Sequence, residues 1–172
     1  MLSGRSEIMF YVGDQVIHRV HGAGVITAEK EMRVTETSDI YLVIQMTGSN
    51  STLMIPTDQA ELCLRSVSPR AELASLLTDY LPSKPESLPK DYQDRNRFVE
   101  GKLKSGEAKM WIEIIRDMAY YKEQKSLSLS DRRLLERAMN LLTEELALAR
   151  GTELEEAKTH LISIVKDASR NG

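Results

Sequence analysis

The strongest constraint on this chain is a change in the spacing of its apolar residues at Ser68, from every second position to every 3.6 positions. A period of two belongs to strands and a period of 3.6 to helices. The chain is therefore expected to be α+β with two domains, strands first and helices second. In the first part, Val12-Gly13-Asp14 and Gly22-Ala23-Gly24 mark turns ahead of the runs Gln15 to His18 and Val25 to Glu29. Ile40 to Met46 is a third run, Gly48-Ser49-Asn50 turns the chain into Thr52 to Ile55, Pro56 ends that run, and Leu62 to Val67 alternates as the last. Short strands separated by turns in this way predict a small barrel whose curling leaves few open edges.

After Ser68 the pattern is helical. Ser68 as N-cap and Pro69 at the first helical position predict a helix carrying Leu73, Leu76, Leu77 and Tyr80 on one stripe. Pro82, Pro85 and Pro89 cannot lie inside a helix, so Leu81 to Lys90 is expected to be a stiff linker and the domain boundary. Further helices follow from about Asp91 to Lys104, from about Glu107 to Glu123, and from the Leu127-Ser128-Leu129-Ser130 entry to Gly151. The last opens on Thr152-Glu153-Leu154-Glu155, which has the form of a capping box. Their stripes predict a compact bundle. The expected layout is a barrel over 8–67, a helix and proline-rich linker over 68–90, and a helical domain over 91–170.

Composition removes several functional classes. The single Cys63 excludes an internal disulfide and fits a reducing cytoplasm. Met1 to Phe10 lacks the apolar run of a signal peptide, and no stretch approaches the roughly 18 apolar residues of a membrane span. There is no phosphate loop, dinucleotide-binding glycine run or nucleophile elbow, so neither an enzyme nor a cofactor is expected. His18, His21 and Cys63 lack the paired-ligand spacing of a structural zinc site, and no metal is expected. Glu144-Glu145 and Glu155-Glu156 are neighbours on helices, where adjacent side chains diverge by about 100°, and are expected to be solvated.

The net charge of −3 is unevenly spread: residues 83–137 hold 13 Lys/Arg against 10 Asp/Glu, a local excess of three positive charges. Trp111 lies on the stripe of Ala108, Ile112 and Ile115 and is expected in the core. Tyr92 differs, since it follows the prolines among Lys90, Arg95 and Arg97 at a helix start. Such a ring either stacks on nucleic-acid bases between phosphate-neutralising cations or staples the helix start against the bundle.

Taken in order, Phe10 to Ile17, His21-Gly22-Ala23-Gly24, Tyr41-Leu42-Val43 and Ile55-Pro56 resemble the RNA-polymerase-interacting domain of the CarD/CdnL bacterial transcription regulators. Leu103-Lys104-Ser105-Gly106-Glu107, Ile114-Ile115-Arg116-Asp117 and the stretch from Leu127-Ser128 to Ala149 are similar to that family's helical domain. The resemblance implies a Tudor-like barrel that docks on the polymerase β subunit and a helical domain that contacts promoter DNA at the upstream edge of the transcription bubble. Tyr92 matches the family's wedging aromatic, usually tryptophan. Arg97 and Arg132 match residues on the DNA backbone, with Arg95 in the same basic segment. Met32 and Met54 stand where many members carry arginines for the polymerase contact, beside Arg33. Met54 points outward in one strand register and into the barrel core in the other. The resemblance thus implies a regulator that stabilises the open promoter complex, monomeric on the polymerase, cytoplasmic and held at the nucleoid through it. The alternative is a polymerase-binding module whose helical domain recruits another protein rather than DNA.

Overall fold

Alternation along the first part of the chain gathers Val16, Ile26, Leu42, Ile44, Ile55 and Leu64 into one buried cluster, closed by Phe10 and Ala60. The computed structural model describes residues 9–33 and 38–171. These form an α+β protein of two units that divide between Ser66 and Val67. In the first, β1 (Gln15–His18), β2 (Gly22–Arg33), β3 (Ser38–Met46), β4 (Thr52–Pro56) and β5 (Leu64–Ser66) form an antiparallel sheet in the order β4-β3-β2-β1-β5. The first four strands run as a meander, and β5 returns to pair with β1. Between β4 and β5 lies α1 (Ala60–Cys63), preceded by a 3-10 turn. Leu62 therefore sits on a short helix with 73% of its surface exposed, not in the alternating strand expected from position 62. Burial of Ala60 turns the chain there.

Two features of β2 fix the sheet. Gly24 lies on the core face between Val16 and Met46. A Cβ there would come within 2.6 Å of Ile44 Cγ2 and 2.8 Å of the Gln45 carbonyl oxygen, so only glycine allows the strands to close. Pairing then slips between Ile26 and Ala28. That bulge inverts the phase of β2, setting Glu29 opposite Leu42 and Ala28 opposite Val43.

The second unit contains α2 (Arg70–Tyr80), α3 (Tyr92–Lys104), α4 (Ala108–Gln124), α5 (Leu129–Arg150) and α6 (Leu154–Asn171). Trp111, Ile112, Ile115 and Met118 of α4 are fully buried, and the Trp111 indole N–H donates to the Leu103 carbonyl at 3.3 Å. Gly151 ends α5 with φ +65°, the left-handed conformation that a glycine cap allows.

Several local expectations differ. Pro69, not Ser68, precedes α2, because the Ser68 amide donates to Glu145 Oε1 at 2.9 Å. Glu144 and Glu145 are buried, with Glu145 fully enclosed, because α5 packs against α2, α4 and α6 as well as α3. The Thr152 hydroxyl makes no hydrogen bond, so the predicted capping box does not form there. The proline segment is bound to the bundle and is no boundary between the units. Leu81 and Leu88 are buried, Glu86 N donates to Asp117 Oδ1 at 2.9 Å, and Arg116 Nη1 donates to Ser83 Oγ at 2.7 Å.

His18 and His21 stack with ring centroids 4.6 Å apart. The backbone N–H groups of Val20 and His21 both donate to His18 Nδ1 at 3.1 Å, which requires that nitrogen to be unprotonated. Among the described residues no group of His, Cys, Asp and Glu is placed to hold a metal ion. Burial, and then the neighbouring His21, lower the His18 pKa from 6.5 to about 4. The unfolded chain thus takes up a proton at a pH where the folded one does not. Stability should fall as pH drops from 6.5 towards about 4, and the His18 ring should titrate near that lower value when followed by NMR.

Candidate functional site

The start of α3 is built around a buried charge. Asp91 caps the helix by accepting from the backbone N–H groups of Gln93 and Asp94 at 2.9 and 3.0 Å. The fourth residue of α3 is Arg95, only 5% exposed. Its Nε and Nη2 donate to Asp131 Oδ1 and Oδ2 at 2.9 and 3.1 Å, and Nη1 donates to the carbonyls of Pro89 and Lys90. The guanidinium also lies 5.1 Å from the Tyr121 ring centre. Asp131 belongs equally to the start of α5, where it forms a reciprocal capping box with Ser128. One carboxylate therefore joins the two helix starts and the end of the proline segment. Burial pushes the Asp131 carboxyl up, but hydrogen bonds from Arg95 and Ser128 outweigh it and hold the group below its ordinary 3.8.

This frame presents Tyr92. The ring is 48% exposed, while hydrogen bonds to Ser130 and Asn96 hold its phenol below the usual range. Ser130 Oγ in turn donates to Asn96 Oδ1 at 3.1 Å. Tyr92 thus stands at the α3–α5 junction with its side chain half open to solvent. Arg97 is exposed and pairs with Asp94 at 3.2 Å, a surface contact of the kind that adds little to stability. Arg132 is exposed as well, its Nε donating to the Leu127 carbonyl at 3.3 Å. Leu129, 65% exposed, adds an apolar side chain at the start of α5. Arg95 departs from the expected role: it is buried and each nitrogen of its fork is already engaged within the chain, so it positions the segment.

Asp131 and Ser130 are the residues that sequence reasoning missed. Ser128-x-x-Asp131 carries the capping signature, but nothing in the sequence shows that Asp131 reaches back 36 residues to Arg95.

On the sheet, Met54 opposes Val43 and turns away from the core, which settles its register, while Ile55 points inward. Because of the bulge, Met32 opposes Asp39 on this same outer face. Arg33, one residue on, opposes Ser38 and belongs to the other face. Met54, Val43, Tyr41 and Pro56 form a half-exposed patch on β3 and β4, with β4 at the edge of the sheet. The structure therefore places Met32 and Met54 on one face of the sheet and Arg33 on the other.

Residues 10–68 match the family model described as the CarD-like/TRCF RID domain, and residues 77–162 match that of the CarD C-terminal domain. The chain belongs to the CarD family. It is similar to the protein named "Putative transcription factor YdeB" of Bacillus subtilis (strain 168), at 30% identity over 152 residues, covering 88% of this chain and 99% of that one. The CarD family is one of transcription regulators. The two matched regions correspond to the two units, with residues 81–90 inside the C-terminal match. No helix among the described residues is long and apolar enough to cross a membrane.

Replacing Asp131 with Ala leaves the Arg95 charge buried without its partner, which should lower unfolding free energy by about 3–5 kcal/mol in denaturant titrations. With its folded pKa depressed, Asp131 contributes stability at neutral pH that is lost as pH falls below about 4. The variant should lack that part of the acid dependence.

Proposed function

We propose that this CarD-family chain regulates transcription by binding the β subunit of RNA polymerase through its sheet unit and holding promoter DNA open through its helical unit. The observation that carries the reading is Tyr92, half exposed at a helix start whose geometry is locked by the buried Arg95–Asp131 pair. A ring carried on a helix start that is already held in place needs less ordering of the backbone to enter a base step, so less conformational entropy opposes the contact. Arg97 and Arg132 supply exposed cations for the phosphates on either side. A protein that meets the opened duplex through more contacts than the closed one shifts the population to the open state, by a factor set by the difference in affinity.

The outer face holding Met54 and Met32 is the proposed polymerase contact. It is apolar, with Lys30 and Asp39 beside it, and suits a partner surface of matching apolar character. The edge strand β4 also leaves main-chain groups for an added strand.

A groove of about 620 Å³ supports the second reading, recruitment of another protein. Leu135, Met139, Ile162 and Val165 line it, together with the cations Lys122, Lys166 and Arg170 and the single carboxylate Glu123. An amphipathic acidic helix has the complementary pattern.

Open-complex lifetime on a fixed promoter separates the two. Full-length chain should lengthen it, and Tyr92→Ala should remove about fivefold or more of that gain; equal lifetimes with both proteins would reject the wedge. Met54→Asp should abolish co-purification with the β subunit while leaving the thermal midpoint of the chain unchanged, because that side chain makes no core contact. Polymerase binding without any change in promoter footprint would favour recruitment of a protein.

A further inference from the structure

The corner between α5 and α6 gathers positive charge that promoter binding does not use. Arg150 in the last turn of α5 donates from Nη1 to His160 Nε2 at 2.9 Å, which leaves that imidazole nitrogen unprotonated. Arg70, the first residue of α2, lines the same concave pocket of about 370 Å³. Among the described residues neither arginine is ion-paired with a carboxylate, and Arg150 Nε is buried without a hydrogen-bond partner. The one carboxylate bearing on the imidazole is Glu156, exposed a turn earlier on α6. Burial, then Arg150 and Arg70, keep His160 below its ordinary pKa despite Glu156.

Like charges converging in a concave site with apolar walls attract a counter-anion, because field lines are focused where water is scarce. Leu77, Leu146 and Ile164 supply those walls from three helices. We propose that this pocket binds a phosphate-bearing small molecule, its phosphate held between Arg70, Arg150 and His160. Guanidinium forks match phosphate oxygens, and the apolar walls accommodate a carbon skeleton of nucleotide size. Protonated His160 cannot accept from Arg150, so an anion between them resolves the conflict by accepting from both. Binding should therefore strengthen as pH falls through the His160 titration.

The test follows the His160 ring by NMR in the full-length chain, titrated with inorganic phosphate, pyrophosphate or a nucleoside diphosphate at an ionic strength matched with chloride. Saturation should raise the His160 midpoint by about 1 pH unit or more. Arg70→Gln and Arg150→Gln should each weaken binding about tenfold or more. Arg70 is exposed, so its variant keeps the fold even if Arg150→Gln does not. Equal affinity for pyrophosphate and the nucleotide assigns recognition to the phosphate alone, while a tighter nucleotide adds the apolar walls; both support the site. No movement of His160 with any of the three at millimolar concentration would overturn the proposal. So would a response that chloride reproduces or that Arg70→Gln leaves undiminished.

Discussion

The buried pair of Arg95 and Asp131 is the interaction on which the helical unit's working surface depends. Arginine suits the position because its fork reaches both carboxylate oxygens and still has Nη1 for two carbonyls, which a lysine ammonium does not do in one plane. The pair is costly to desolvate and gains its stability from complete hydrogen bonding. Its consequence is geometric: the starts of α3 and α5 and the end of the proline segment become one piece, and Tyr92 sits on that piece with its ring outward.

A second polar network extends the same piece. Lys102 Nζ lies 2.7 Å from Glu86 Oε2, 3.0 Å from Glu113 Oε2 and 3.7 Å from Asp117 Oδ2, and Asp117 also receives Arg116. Glu86 lies between the prolines, Lys102 on α3 and Glu113 on α4. The prolines fix an extended path, and side-chain bonds along it hold that path to the bundle. A segment with the composition of a spacer is therefore structural, which is why the division between units falls earlier, after Ser66.

In the sheet unit a single irregularity has comparable reach. The bulge between Ile26 and Ala28 moves every later residue of β2 to the face opposite the one simple alternation assigns. Met32 thereby shares a face with Met54, and Arg33 takes the other. Residues adjacent in sequence were parted, and residues 22 positions apart were brought onto one surface.

The sequence by itself determined the two architectures, the location of most helices and strands, and an aromatic among cations at a helix start, while its exposure came from the fold. These depend on period, turn residues and capping chemistry, all of which act over a few positions. Only the tertiary structure decided that Arg95 is a buried anchor while Arg97 and Arg132 stay at the surface, that Glu145 is enclosed, and that Arg33 faces away from Met54. Each of those outcomes depends on a partner far along the chain or on a one-residue slip in pairing. The local pattern around a charged residue is the same whether its side chain meets water or a carboxylate 36 positions away, and folding alone distinguishes the two.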